Sequence, residues 1–595
     1  MSYAGPNLSP GLQRDENWYK RGVFYEVLVG SYADSDGDGI GDFQGLISKL
    51  DYLQWLGVDV IWVPPFYESP LRDGGYDVAD YRKVLKDFGT VDDFRELVTQ
   101  AHARNMRVLI DIVINHTSDQ HEWFQQSRED PEGPYGDYYV WSDTDEKYEN
   151  YRIIFVDTEE SNWTFDPVRR QFFFHRFFSH QPDLNFESEA VQHEVFDIIR
   201  FWLDFGVDGI RLDAVPYLFE SEEGNGESEP ATHDYLKRLR VMVDEEYPGR
   251  VLLAEANQWP HEVVDYFGTD AEPECHMAFD FPTMPRIFYA LRSQYKHELE
   301  QVLREQLEIP ESATWGVFLR NHDELTLEMV GEEYRQTMYG WYAYDPRMRA
   351  NVGIRRRLAP LLENSQSEIK LANAILMSLK GSPILYYGDE IGMGDNIWLP
   401  DRDASRTPMQ WSPDRNAGFS TADPGKLRQP VVQSLVYNYQ HVNVEAQMAQ
   451  SASLLRWMRN LMQVRKQHPA FGLGTLEVAD TSHESVLAYI RDYAGNPAHP
   501  HSGDKPERLL CAFSFADTPT QATITLPGNE GRRVFDVFGW QEFEPVRADG
   551  TITLTFGAKQ FYWLLLTEPD AVTTATSAIP IIAGHSVGGT KEGAA

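Results

Sequence analysis

Cysteine, positive charge and long apolar runs are all scarce in this chain of 595 residues. The two cysteines, Cys275 and Cys511, exclude a disulfide framework and lead us to expect a reducing, cytoplasmic environment. The 53 lysines and arginines are outnumbered by 92 aspartates and glutamates, and the net charge of −39 argues against nucleic acid or an anionic membrane as a partner. No run is long and apolar enough to span a bilayer, and the polar stretch Met1 to Lys20 lacks the apolar core of a signal peptide. We therefore expect a soluble globular protein that acts on a neutral small molecule or binds cations.

Eight short apolar segments predict β-strands, and most of them are followed by helical stretches. These segments are Val23–Val29, Val58–Val63, Arg107–Val113, Gly209–Ala214, Val251–Ala256, His276–Phe281, Trp315–Arg320 and Pro383–Tyr387. Eight β-then-α units are the count of a (β/α)8, or TIM, barrel, so the sequence predicts an α/β protein of that class.

Two regions depart from the barrel pattern. From about Thr117 to Gln181 the alternation stops, and the many large aromatic residues indicate an inserted subdomain rather than a disordered linker. After His468 the apolar period changes to two, which is typical of an antiparallel β-sandwich. The predicted order is barrel (1–116), inserted subdomain after strand 3 (117–183), barrel again (184–473), C-terminal β-sandwich (474–567) and a disordered tail (568–595).

The strand Gly209–Ala214 carries the most informative pair of charged residues. Arg211 and Asp213 are two positions apart, so both side chains point to the same face of the strand. An arginine beside an aspartate lowers the pKa of that carboxyl and keeps it ionised. A positioned carboxylate is the nucleophile of a retaining glycosidase, although a structural ion pair at a strand end is the simpler alternative.

Further polar residues come at the ends of three other predicted strands. Asn115 and His116 follow the third strand, Glu255 lies in the fifth, and His322 and Asp323 follow the seventh. The C-terminal ends of barrel strands share one face, which is where TIM-barrel active sites lie. Converging carboxylates raise one another's pKa and cost stability, so this set favours catalysis over a structural role.

An oxygen-rich loop follows the first strand and is a candidate cation site. Its proposed ligands are Asp34, Asp36, Asp38, Ile40 and Asp42, with glycines between them. Hard cations such as Ca²⁺ need several converging oxygens without bulky side chains, and Mg²⁺ is an alternative here. Gly45 stands where an EF-hand has its bidentate glutamate, so the loop is not an EF-hand, and a plain acidic turn stays open as the other interpretation.

Five segments together resemble the conserved motifs of the α-amylase family of glycoside hydrolases and transglycosylases. They are Asp111–His116, Gln181–Asn185, Gly209–Ala214, Leu253–Glu255 and Arg320–Asp323. The resemblance covers about Trp18 to Leu566 and implies barrel, inserted domain and sandwich in this order. It also implies that Asp213 is the nucleophile, that Glu255 is the general acid/base, and that Asp323 stabilises the distorted sugar.

The resemblance implies further ligand residues. The sugar next to the cleaved bond would be held by Asp77, His116, Gln181, Arg211, His322 and Asp323. A structural Ca²⁺ between barrel and insertion would be bound by Asn115, Asp183, Glu220 and the carbonyls of Tyr217 and Leu218. The Asp34–Asp42 loop is similar to a second structural cation site in oligo-1,6-glucosidase-like members.

Within the family, the chain resembles the members that interconvert maltose and trehalose. This closer resemblance rests on Tyr25–Gln44, Asn321–Glu328 and Asp395–Arg402. It implies a reversible intramolecular isomerisation of maltose to trehalose with minor hydrolysis to glucose. An α-1,4- or α-1,6-glucosidase with the same machinery is the alternative, and a non-catalytic binding subunit is a third one that the intact carboxylates argue against. The sequence leaves homo-oligomerisation open.

Overall fold

The computed structural model describes residues 12, 15–495 and 505–569. Most of the tail predicted to be disordered, residues 570–595, lies outside these described residues. Within the described part of the chain, no helix is long and apolar enough to cross a membrane.

Eight parallel strands close into a barrel, as the sequence predicts. They are β1 (Phe24–Glu26), β2 (Val60–Val63), β3 (Arg107–Val113), β4 (Gly209–Asp213), β5 (Val251–Ala254), β6 (Met277–Phe279), β7 (Thr314–Phe318) and β8 (Ser382–Tyr386). Neighbours in the barrel are neighbours in the chain, and β8 closes it against β1. The strands are almost wholly buried, which explains their continuous apolar sequences. In the register, Arg211 pairs with Asp111 of β3 on one side and with Leu253 of β5 on the other.

Helices surround the barrel, each with an apolar face towards the strands. They include Leu50–Leu56, Val91–Ala103, Glu189–Asp204, Pro230–Glu246, Thr283–Ser293, Gln366–Leu376 and Leu454–Gln467. The helix Val91–Ala103 begins with a capping box, in which Thr90 and Asp93 exchange side-chain and backbone hydrogen bonds. Glu189–Asp204 buries Val191, Ile198 and Trp202 against the core, as the apolar spacing predicts.

The segment after β3 is ordered around aromatic side chains. It contains the helix Glu122–Glu129 and a three-stranded antiparallel sheet of Trp141–Ser142, Gln171–Phe174 and Trp163–Asp166. Tyr151, Trp163 and Phe174 form a small core of their own. His116 and Asp183 pair as an isolated bridge, so the two ends of the insertion meet where it leaves and re-enters the barrel.

The C-terminal region packs two antiparallel sheets against each other. The larger has the order Thr475–Ala479, Val486–Tyr493, Glu507–Ser514, Phe561–Thr567, Arg533–Asp536 and Glu542–Phe543, and the smaller pairs Thr520–Thr525 with Thr551–Phe556. Thr475–Ala479 and Glu542–Phe543 were not predicted, because the first is half exposed and the second is only two residues long. Alternate residues of the large sheet face opposite ways: Val486 and Leu510 pack towards the small sheet, whereas Leu487 and Trp563 join the barrel core.

Candidate active site

The predicted catalytic carboxylates meet in one cleft at the C-terminal end of the barrel. Asp213, Glu255 and Asp323 all line it, and its empty volume, including the open mouth, is about 860 Å³. Asp213 ends β4, whereas Glu255 and Asp323 lie in the loops that follow β5 and β7.

Arg211 holds the two central carboxylates together. Its Nη1 lies 2.5 Å from Asp213 Oδ1 and 3.0 Å from Asp111 Oδ1, and its Nη2 lies 2.6 Å from Glu255 Oε1. The guanidinium is fully buried, so these ion pairs are screened little by water. One guanidinium thus contacts both carboxyl groups, and closely spaced carboxyl groups are the arrangement of retaining glycosidases.

The backbone just after the nucleophile candidate adopts a rare conformation. Ala214 has φ 53° and ψ 35°, in the left-handed region that alanine seldom occupies. This turn directs its backbone N–H to Glu255 Oε2 at 3.1 Å. Strain of this kind persists only where surrounding structure fixes it, and here it orients the acid/base candidate.

The pKa values of the two carboxyl groups are separated in the direction that retaining catalysis needs. Burial raises the pKa of Asp213 to about 6, although Arg211 acts to lower it. Burial raises the pKa of Glu255 to about 7, with Asp213 and Asp323 adding to the rise. As predicted, Arg211 by itself acts to lower the pKa of Asp213. The effect of desolvation is larger, so the pKa of this carboxyl is raised overall. Near neutral pH, Asp213 is therefore the more ionised group and Glu255 the more protonated one.

Asp323 lies at the centre of a second charged group. Its Oδ1 contacts Arg402 Nη1 at 3.0 Å and Arg406 Nη2 at 3.1 Å, and its Oδ2 lies 3.0 Å from His322 Nε2. Burial would raise the pKa of Asp323, but His322 and the two arginines hold it well below its usual range. Asp323 is therefore an ionised acceptor that faces the cleft.

The predicted sugar-binding residues occupy different positions relative to the cleft. His116 lines it, and burial lowers its pKa to about 3, so it is a neutral imidazole. Arg211, Gln181 and His322 lie behind the cleft wall and contact other side chains: Gln181 Nε2, for example, donates to Asp73 Oδ2 at 2.9 Å.

The structure contradicts the prediction for Asp77. This carboxylate is fully buried away from the cleft, where it accepts hydrogen bonds from Ser69 Oγ at 2.9 Å and from the backbone N–H of Arg72 at 3.0 Å. Asp73 lines the cleft instead and contacts Arg402 Nη2 at 2.5 Å. The turn between these aspartates contains Gly74 and Gly75, both with positive φ, so spacing alone did not show which aspartate faces the ligand.

The inserted subdomain covers one side of the cleft and is tied to the opposite loops. Arg152 contacts Glu227 Oε1 at 2.6 Å and Glu328 Oε2 at 3.1 Å, and Asn257 Nδ2 donates to the same Glu328 oxygen at 2.9 Å. The ring of Phe155 lies 5.1 Å from the Arg402 guanidinium. These loop residues carry no strand or helix periodicity, so sequence analysis did not identify them.

Three of the predicted cation ligands leave buried oxygens unsatisfied. Asn115 Oδ1, Asp183 Oδ2 and Glu220 Oε1 are each buried without a hydrogen-bond partner. Burial raises the pKa of Asp183 to about 7, and burial together with Asp183 raises the pKa of Glu220 well above its usual value. Two neighbouring carboxylates with unused oxygens and one amide oxygen form the donor set that Ca²⁺ prefers.

The loop after β1 is only partly consistent with its prediction. Asp34, Asp36 and Asp42 bring carboxylate oxygens within 4.8 Å of one another, but Asp38 is not in this group. Asp42 also caps the helix Phe43–Ser48 by accepting from the backbone N–H of Gly45. A purely structural turn therefore accounts for part of this pattern.

The barrel, the inserted domain and the clustered carboxylates indicate a class of protein: enzymes that act on glycosidic bonds. The α-amylase catalytic domain family matches residues 26–339 and 346–474, and the maltogenic amylase C-terminal domain family matches residues 476–563. The chain belongs to the α-amylase family.

Similar proteins of this family carry informative names. The trehalose synthase/amylase of Mycolicibacterium smegmatis is 59% identical, covering 94% of both chains. The oligo-1,6-glucosidase of Bacillus cereus is 31% identical over 80% of this chain and 89% of its own. Among solved structures, a trehalulose synthase is 29% identical with a TM-score of 0.72, covering 92% of this chain and all (100%) of its own.

Proposed function

We propose that this protein interconverts maltose and trehalose by moving one glucosyl unit within the active site. The observation that carries the proposal is the pair Asp213 and Glu255, held on one guanidinium inside a cleft that the inserted subdomain covers. Support comes from relatives named trehalose synthase, which are 48–59% identical, against 30–31% for those named oligo-1,6-glucosidase.

The first displacement breaks the glycosidic bond of maltose. The ionised Asp213 attacks the anomeric carbon of the non-reducing glucose, and Glu255 gives its proton to the departing 4-oxygen. The products are a β-linked glucosyl ester on Asp213 and one molecule of glucose. Asp323 is placed to accept hydrogen bonds from hydroxyls of the distorted sugar ring, and these strengthen as positive charge develops on it.

The second displacement forms the new bond. The released glucose stays in the cleft and turns, so that its anomeric hydroxyl faces the ester. Glu255, now a carboxylate, removes the proton of that hydroxyl, whose oxygen attacks the anomeric carbon and releases Asp213. Two inversions leave the transferred glucosyl unit in the α configuration, as trehalose requires.

Retention of glucose depends on closure of the cleft, because water competes for the same ester. The ion pairs of Arg152 with Glu227 and Glu328 span the cleft from the insertion to two barrel loops. Incubation with maltose alone, followed by NMR, tests the proposal. We expect trehalose as the main product, and added labelled glucose should enter trehalose slowly compared with turnover.

Hydrolysis is the second candidate function, and the same incubation with maltose decides between isomerisation and hydrolysis. It is supported by the word amylase in the names of three relatives and by the similarity to oligo-1,6-glucosidases. Glucose as the only product would establish a hydrolase, whereas no product would favour a binding protein.

We further propose that a structural Ca²⁺ joins the barrel to the insertion. The supporting observation is the set of unsatisfied oxygens on Asn115, Asp183 and Glu220, and the carbonyls of Tyr217 and Leu218 would complete the site. A second ion, Ca²⁺ or Mg²⁺, would bind Asp34, Asp36 and Asp42. Both would hold loops in place without entering the reaction.

A cytoplasmic location and the absence of nucleic-acid and membrane partners are also part of the proposal. Both cysteines are free and buried, which suits a reducing compartment. The net charge of −39 supports a neutral substrate over a polyanionic one.

A further inference from the structure

One buried glutamate of the barrel has no role in the mechanism above. Glu26 is the last residue of β1, and its side chain is fully buried. Its Oε1 lies 2.5 Å from His322 Nδ1 and 3.3 Å from the backbone N of His322, while its Oε2 has no hydrogen-bond partner. Among the described residues, its one recorded ion pair is with His322.

His322 lies between two carboxylates. Its Nδ1 faces Glu26, and its Nε2 lies 3.0 Å from Asp323 Oδ2. The Nε2 contact is an ion pair without hydrogen-bond geometry. A neutral imidazole carries a single N–H and would turn a lone pair towards one of these oxygens, so the arrangement favours the protonated ring. The two carboxylates outweigh the effect of burial and raise the pKa of His322 to about 9.

The surroundings fix the ring in this position. Tyr76 stacks on it with centroids 5.1 Å apart and an interplanar angle of 6°, and Trp62 meets it edge-on at 5.9 Å. The other charged groups near it are Asp111 of β3, which interacts with it electrostatically, and Arg406, whose Nε donates to the His322 carbonyl at 2.9 Å. These contacts hold the ring between Glu26 and Asp323.

We propose that Glu26 is a positioning residue for the reaction: it keeps His322 protonated, and the imidazolium in turn orients Asp323 as an ionised acceptor for the sugar. The inference rests on the proposed function only in taking Asp323 as a group that contacts substrate. Its consequence is a dependence of activity on the His322 proton. When His322 loses that proton, Asp323 loses the positive charge beside its Oδ2 and faces a repelling lone pair instead.

The test uses Glu26→Gln and α-D-glucosyl fluoride. The fluoride leaves without a proton from Glu255, so the alkaline limb due to Glu255 disappears from kcat/KM and the titration of His322 becomes visible. An opposite charge at this range shifts a pKa by about 1–3 units, so the alkaline limb of the variant should move down by about that amount. At alkaline pH the variant should then be at least about tenfold slower than the parent, with a smaller difference at acidic pH.

Glu390→Gln is the matched control. Glu390 is equally buried and accepts hydrogen bonds from Tyr25 and Tyr52 at 2.8 and 2.7 Å, but it does not contact His322. The alkaline limb of the Glu390→Gln variant should coincide with that of the parent. Glu26→Asp keeps the charge, so its alkaline limb should lie at a pH nearer that of the parent than the limb of Glu26→Gln does. It gives a second measurement if the glutamine variant fails to fold.

An unchanged alkaline limb in folded Glu26→Gln, or the same downward shift in Glu390→Gln, would overturn the inference. Failure of the proposed function is a separate observation. It would be seen as the absence of trehalose from maltose with the parent enzyme, whereas cleavage of the fluoride needs only a retaining glucosidic site.

Discussion

Arg152 Nη1 lies 3.1 Å from Glu328 Oε2, and this contact ties the inserted subdomain across the cleft to the segment that follows Asp323. The same guanidinium contacts Glu227, in the loop after Asp213. One side chain of the insertion thus joins loops that carry two of the three proposed catalytic carboxylates. The released glucose would be retained beneath this bridge.

Replacement of this arginine should increase hydrolysis. Arg152→Gln removes the charge from the bridge. Because partly exposed ion pairs contribute up to about 1 kcal/mol, the population of molecules in which the insertion is not held to the opposite loops should rise severalfold. We expect a severalfold higher ratio of glucose to trehalose from maltose, measured by NMR. Arg200→Gln, which removes surface pairs with Asp197 and Glu246 on the barrel's outer helices, is the control and should leave the ratio unchanged. An unchanged ratio in the Arg152 variant would contradict a retaining role.

Loss of the nucleophile should abolish turnover without unfolding the protein. Asp213→Ala removes the carboxylate proposed to form the glucosyl ester, so the rate with maltose should fall on the order of 10⁴-fold or more. Circular dichroism and the thermal midpoint should show a folded variant. Residual activity of a few per cent in pure, folded protein would rule out the assignment.

Loss of the acid should depend on the leaving group. Glu255→Gln cannot protonate the sugar oxygen of maltose, and general acid catalysis contributes about 10²–10⁴-fold. The first step with α-D-glucosyl fluoride should be much less affected, because fluoride leaves unaided. Rapid-quench measurement of fluoride release separates that step from later ones. Equal losses with both substrates would mean that Glu255 is not the acid.

The pH dependence with maltose should be bell-shaped and narrow. Below a pKa of about 6, Asp213 is protonated and cannot attack, and above about 7, Glu255 has lost the proton it must donate. Activity should therefore rise as pH increases through the first value and fall through the second. The two groups interact, so the observed limbs belong to the pair. The kcat/KM profile measures them, and the parent enzyme with α-D-glucosyl fluoride, which needs no proton from Glu255, should lose the alkaline limb near 7.

Two neighbouring aspartates should respond differently to the loss of charge. Asp73→Asn weakens a group that faces the ligand, and charged hydrogen bonds contribute about 1.5–3 kcal/mol, so kcat/KM should drop by about 10–150-fold with the thermal midpoint nearly unchanged. Asp77→Asn should instead lower the thermal midpoint, because its carboxylate holds the loop through Ser69 and Arg72. The opposite pattern would restore the sequence-based prediction for Asp77.

Chelation should destabilise the protein if the proposed ions are present. A ligand at a hundred times its dissociation constant adds about 2.7 kcal/mol, so EDTA should lower the thermal midpoint by several degrees. Asp183→Asn should remove most of this response, whereas Asp34→Asn should remove only the part due to the loop ion. Metal analysis gives the stoichiometry. An unchanged thermal midpoint and no bound metal would mean that neither the Asp183 cluster nor the Asp34–Asp42 loop is a cation site.

The sequence by itself determined the eight barrel strands and the order of domains, because buried strands need continuous apolar residues and their period is local. It also identified Asp213, Glu255 and Asp323, since a polar residue at the end of such a strand must lie at the same end of the barrel. It could not determine which of Asp73 and Asp77 faces the cleft, because two glycines with positive φ decide the path of that turn. It could not pair Glu26 with His322 or Arg152 with Glu328, which are 296 and 176 residues apart. Those contacts exist only because the barrel closes and the insertion folds over it, and they set the charges that the chemistry uses.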